Sequence, residues 1–207
     1  MVEEGLVERF TYISMLTPNV TETFEYNACR TGAAGGTENR DLVDFLDRAA
    51  ADDKREISEL EEFFRNKNIT ARIYSKDRFF TQADRRSYFG GIGQDLLTKS
   101  LILIDPDRGL EEDVNGDGNL LYSELAGIYE KMDNDSYLMF TQRFPYDLYA
   151  EYLGMRCAEI KDRIPGAQPV SIDDLDSIIF FLTRNKFLQS CLVNLLKDYA
   201  RHYRQVV

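Results

Sequence analysis

Residues 100–105, Ser-Leu-Ile-Leu-Ile-Asp, form an unbroken apolar run that ends on an aspartate. A strand that is apolar on both faces must be covered on both faces, which is the situation of a central strand in a parallel sheet flanked by helices. Other short runs rich in aromatic and β-branched residues repeat the signal: Arg9–Leu16, Thr70–Tyr74, Tyr137–Gln142 and Ser177–Arg184. Stretches with helical spacing separate them. Leu42, Phe45, Leu46, Ala49, Ile57, Leu60, Phe63 and Phe64 mark one long helix from about Glu38 to Asn66, or two broken near Asp52-Asp53. A helix is predicted around Gly93–Lys99, another on Leu125, Ile128, Tyr129 and Met132, a third over 146–163, and a last one carrying Phe187, Leu188, Cys191 and Leu192. Strands that alternate with helices imply an α/β fold. The expectation is a Rossmann-like three-layer sandwich, a mostly parallel sheet of at least five strands with helices on both faces.

The chain has 207 residues, 43% of them hydrophobic and 12% aromatic, which suits one buried core and a single domain over 1–207. Its net charge of -11 disfavours non-specific binding to nucleic acid or to anionic lipid, both of which need excess positive charge. A local basic stretch remains as a possible contact surface for a small-molecule or nucleic-acid substrate: Arg72, Lys76, Arg78, Arg85 and Arg86 against Asp77 and Asp84. No apolar run reaches the length of a membrane span, so no membrane partner is expected. The three cysteines, Cys29, Cys157 and Cys191, are far apart, and no secretory leader is seen. Reduced thiols in a cytoplasmic protein are the expectation. The single histidine, His202, falls in a basic C-terminal helix, where a helix-end cation is its expected role. Chemistry based on a histidine general base is thereby set aside, leaving carboxylates, amides, arginines or a metal.

In open α/β sheets, ligands bind beyond the carboxyl ends of the strands. Those ends here supply Thr17 and Asn19, Asp105 and Asp107, Gln142 and Arg143, and Thr183 and Arg184. Asp105-Pro106-Asp107 places two carboxylates at the mouth of the sheet. They could ligate a divalent ion, or accept hydrogen bonds from a ribose or an amino group.

Just downstream, residues 113–124 carry the spacing of an EF-hand calcium loop. Asp113, Asn115 and Asp117 fill the first three ligand positions, Gly118 the turn, Asn119 the backbone-carbonyl position, and Glu124 the closing carboxylate. A hard cation demands such spacing because it needs six to eight oxygens in one shell. Pro106 and Gly109 rule out a regular incoming helix, and no second loop is present to pair with this one. The loop is therefore expected to be a structural Ca2+ clip on the connection leaving the central strand.

"RFTYISMLTPN", "RRSYFGGIGQDLLTKSLILIDPDRGLE" and "YLMFTQRFP" resemble an uncharacterised microbial family marked by an Asp-Pro-Asp-Asn-Gly-Leu-Glu motif. That family is distantly similar to Rossmann-fold amino-methyltransferases, whose Asp-Pro-Pro-Tyr element sits at the same strand end. Arg108, Asn19 and Arg143 depart from the family pattern, which has Asn, Asp and His there. The resemblance implies a methyltransferase-like protein acting on nucleic-acid bases or other amino groups. Asp105 would accept a hydrogen bond from the target amine, Asp107, Gln142 and Arg143 would line the pocket, and Thr17, Asn19 and Pro106 would contact S-adenosylmethionine. No glycine-rich turn follows the first strand, however. Two other readings stay open. In one, Asp105, Asp107 and Glu111 hold Mg2+ or Mn2+ for a nuclease or phosphodiesterase. In the other, the chain is a non-catalytic, calcium-stabilised binding module.

Overall fold

The computed structural model describes residues 1–17, 40–51, 57–76, 79–111, 118–143, 149–173 and 177–203. In chain order the elements are β1 (Arg9–Ser14), α1 (Arg40–Ala51), α2 (Glu59–Asn66), β2 (Ala71–Tyr74), α3 (Arg85–Gly90), β3 (Ser100–Asp105), β4 (Gly109–Glu111), β5 (Asn119–Leu121), α4 (Tyr122–Lys131), β6 (Tyr137–Arg143), α5 (Tyr149–Arg163), β7 (Val170–Asp173), β8 (Ser177–Leu182) and α6 (Lys186–Tyr203). The main sheet has six strands in the order β2-β1-β3-β6-β8-β7. β2, β1, β3 and β6 are parallel, while β8 runs antiparallel to both of its neighbours. The sheet is thus mixed, where a parallel continuation had been expected at β8. The reason is the short return from β7: the chain leaves that strand at Asp173 and re-enters the sheet at Ser177. So brief a link can join only antiparallel neighbours.

Alternation along the strands sorts side chains onto two cores. Ile13, Ile102, Ile104, Leu138, Phe140, Ile178 and Phe180 face one side, packed with Tyr88 and Phe89 of α3, Leu125 and Ile128 of α4, and Ile160 of α5. Tyr137 and Phe181 face the other, against Leu188 and Leu192 of α6, with Leu101 and Met139 at the margin. Phe64 of α2 packs on Phe10 of β1, ring centroids 4.9 Å apart. The run at 100–105 therefore has one fully buried face, Ile102 and Ile104, and one half-buried face, Leu101 and Leu103.

Two further expectations change. Only one tight helical turn, Gln94–Leu96, forms within 93–99, because the backbone leaves the helical conformation after Leu97 and turns left-handed at Lys99 (φ +48°) to enter β3; the helix lies earlier, at α3. β4 and β5 were not foreseen. They form a separate two-stranded parallel pair beside the main sheet, and the loop's ends are drawn together by the Arg108 amide donating to the Gly118 carbonyl at 3.0 Å.

β4 begins at Gly109, which has φ +91°. A Cβ there would lie 2.6 Å from Gln142 Oε1, a side chain buried and bonded at both ends. Gly109→Ala combines a left-handed backbone with this clash. It is expected to cost about 2 kcal/mol or more, lowering the thermal midpoint by roughly 4–8 °C for a chain of this size, as read by calorimetric melting.

Candidate functional site

The order of strands reverses at β1: the chain first adds β2 on one side, then β3 on the other. A crevice outside the carboxyl ends of β1 and β3 is the expected ligand position in such a sheet. Asp105 closes β3 there. Its Oδ2 accepts from Tyr12 Oη of β1 at 3.0 Å, and its Oδ1 from Thr141 Oγ1 of β6 at 3.0 Å. One half-buried carboxylate thereby spans three strands. Pro106 is buried beneath the turn, and Asp107 accepts from Thr17 Oγ1 at 2.6 Å. Ser14 pairs in register with Asp105 and shares its side of the sheet with Tyr12. Its side chain is 2% exposed, yet its hydroxyl has no hydrogen-bond partner among the described residues. Burial above all, and then the charge of Asp105, push the Tyr12 phenol well above its ordinary range. Tyr12 therefore stays a neutral donor to the carboxylate.

Of the residues expected at this rim, Thr17, Asp105, Pro106 and Asp107 come together, whereas Thr183 and Arg184 follow the end of the antiparallel β8 and lie at the opposite edge of the sheet. Asn19 lies outside the described residues, and Arg143 ends β6 with its side chain outside them. Gln142 is directed elsewhere. It alternates with Thr141 onto the opposite face, where its Oε1 accepts from the Leu110 amide at 2.6 Å and its Nε2 donates to Tyr152 Oη at 2.7 Å. Its task is to tie β4 and α5 to the sheet, because a buried amide must satisfy both of its ends. The rim residues that the sequence reading missed are Tyr12, Ser14 and Thr141. The two-residue period of β1 and β6 was the signal that could have placed them beside Asp105.

Glu111 does not join Asp105 and Asp107. It accepts from Arg156 Nη2 at 2.9 Å. Arg156, 7% exposed, also donates to Glu159 at 3.1 Å, to Tyr152 Oη at 3.1 Å and to Tyr122 Oη at 3.3 Å. Among the described residues no three His, Cys, Asp or Glu side chains converge as a metal cage. Asp113, Asn115 and Asp117 lie outside the described residues.

The two described positions of the calcium-type loop have a shared partner. Arg85 donates from Nη1 to Glu124 Oε2 at 2.7 Å and from Nη2 to the Asn119 carbonyl oxygen at 2.7 Å. The Leu121 amide donates to the same Glu124 oxygen at 2.9 Å. Burial raises the Glu124 carboxyl above its usual value, offset in part by that amide and by Arg85. Arg85 is thus withdrawn from the basic stretch of the sequence. Arg72 and Lys76 are paired as well, with Asp95 at 3.1 Å and Glu61 at 3.2 Å, while Arg78 lies outside the described residues. Burial pushes the Cys157 thiol up, away from thiolate chemistry, and the His202 side chain falls outside the described ones. Among the described residues no helix is long and apolar enough to cross a membrane.

Compared with protein-family models, curated proteins and solved structures, the chain matches none of them.

Arg156→Met would leave Glu111, Glu159 and two tyrosine hydroxyls without their cation. A loss of about 1–2 kcal/mol in urea unfolding is expected, because Arg156 is buried but its carboxylate partners are 40% and 27% exposed and keep part of their contact with water. Glu159→Gln should cost less than half of that, since the Glu159 side chain is 27% exposed and Arg156 keeps Glu111.

Proposed function

We propose that this chain is a Rossmann-like, methyltransferase-like protein that receives an amine- or ribose-bearing ligand at the carboxyl ends of β1 and β3. The observation that carries the reading is the Ser14 hydroxyl, buried and without a partner among the described residues, in register with Asp105. A buried hydroxyl usually has a partner, so an unmatched one at the carboxyl end of β1 is what a ligand or ordered water would complete. The reversal of strand order at β1 supports the reading, because ligands of open α/β sheets bind beyond the strand ends at such a point.

S-adenosylmethionine, when bound, supplies an electrophilic methyl group. The chain's own part is hydrogen bonding and orientation. Asp105 is held by Tyr12 and Thr141, and Asp107 by Thr17, so both carboxylates are fixed while each retains further acceptor capacity. Such fixed acceptors suit the amino and hydroxyl donors of a nucleoside-type ligand or of a target amine. Pro106 sets the turn between them, and Ser14 adds one hydroxyl. Thr17-Pro18-Asn19 cannot offer the close backbone approach of a glycine-rich turn, so these side chains have to carry the binding.

Calorimetric titration with S-adenosylmethionine tests this. Binding to the wild type is expected, together with a raised melting midpoint, because the ligand binds the folded state. Ser14→Ala should weaken binding by roughly five- to tenfold, the worth of one ordinary hydrogen bond, with folding intact. Asp105→Ala should weaken it further. Absence of heat at millimolar ligand with the wild type removes the reading.

A further inference from the structure

A cleft of about 230 Å³ lies between α3 and α4, and no residue of the strand-end rim lines it. The two helices run side by side. Arg85 at the start of α3 meets Glu124 at the start of α4, and Gln94, just past the end of α3, donates to the Lys131 carbonyl at the end of α4 at 2.8 Å. Residues four apart share a helix face. Arg86 and Gly90 therefore form one line along α3, and Ser123, Gly127 and Lys131 one line along α4, with Phe89 and Ile128 as the apolar base of the cleft. We propose that this cleft binds a phosphate monoester carried on a flat ring, the ring lying along the glycines and the phosphate meeting the cations at the mouth.

The charges favour an anion. Arg86 and Lys131 are exposed, and their side chains make no hydrogen bond or ion pair among the described residues. Glu124, the one carboxylate on the cleft among the described residues, is already neutralised by Arg85 at 2.7 Å. A guanidinium fork matches two phosphate oxygens, and a lysine adds a second positive charge. The Ser123 hydroxyl, exposed and unpartnered among the described residues, adds a further donor. The glycines favour a flat body. Gly127 is the sixth of ten residues in α4, a position where glycine weakens a helix relative to alanine. A Cβ there would meet nothing within 4 Å, and the same holds at Gly90. Packing within the described chain therefore does not call for a missing side chain at either position. What the absence does is keep the cleft open between its apolar base and its cationic mouth.

The proposal goes beyond the methyltransferase-like reading and uses none of its residues, so either can fail alone. The test is heteronuclear NMR titration of the full chain with naphthyl phosphate, naphthol and inorganic phosphate. Naphthyl phosphate should shift the amide signals of Gly90 and Gly127 and bind at least about tenfold more tightly than naphthol, the worth of a charge-assisted contact. Arg86→Gln and Lys131→Gln should each weaken it by roughly five- to tenfold, with melting unchanged. Gly127→Ala should melt roughly 2–4 °C higher, since it relieves a helix of its glycine. Gly127→Leu, which fills the cleft, should abolish binding. The proposal is overturned by unshifted Gly90 and Gly127 signals at millimolar naphthyl phosphate, or by naphthol binding equally well. It is also overturned by inorganic phosphate binding as tightly as the ester, which would mean an adventitious ion only, or by a lower melting midpoint for Gly127→Ala, which would make the glycine structural.

Discussion

The carboxylate of Asp105 joins the three central strands at the edge where the chain turns out of the sheet. Tyr12 of β1 and Thr141 of β6 each donate to it. Hydrogen bonds to a charged group contribute about 1.5–3 kcal/mol apiece, so this one side chain fixes the relative height of β1, β3 and β6 where a rim must be rigid. Its position follows from alternation. Leu101, Leu103 and Asp105 share a face, as do Tyr137, Met139 and Thr141, and the parallel register lines them up. The same alternation sends Ile102, Ile104 and Gln142 to the other core. Rim and core are thus two faces of the same strands.

On that other face, two buried arginines hold the β4–β5 insertion from opposite sides. Arg156 of α5 holds Glu111 of β4, and Arg85 of α3 holds the start of β5 and α4. In a chain of net charge -11, acidic groups are plentiful and a buried cation readily finds partners. The value of such pairs is largely negative in kind: losing one partner strands the other in a poorly solvating site. Glu111 and the start of β5 are thereby anchored to α5 and α3.

Much of the strand framework was legible because it is written in local periodicity. The runs at 9–16, 70–74, 100–105, 137–142 and 177–184 contain β1, β2, β3, β6 and β8. The direction of β8 was not legible, because no residue within it encodes orientation; the short return from β7 does. α3 has six residues, too few for a helical period to emerge, and β7, as short as β2, carries no aromatic residue such as Tyr74 to mark it. Among the site residues, Asp105 and Asp107 could be placed from the end of a strongly apolar strand. Gln142 could not, since whether a strand-end amide faces the rim or the core depends on a single step of alternation. Arg85 read as a surface charge for a similar reason: its partner Glu124 lies 39 residues away, and only tertiary packing brings them together.

Both margins of the six-stranded sheet are formed by four-residue strands, β2 and β7. A strand that short exposes few unpaired amide and carbonyl groups, and so offers little template for another chain to extend the ladder. Lateral stacking of sheets between copies is discouraged by geometry alone. Among the described residues, the large exposed apolar side chains lie elsewhere, as on α6, where Phe187 projects 71% exposed.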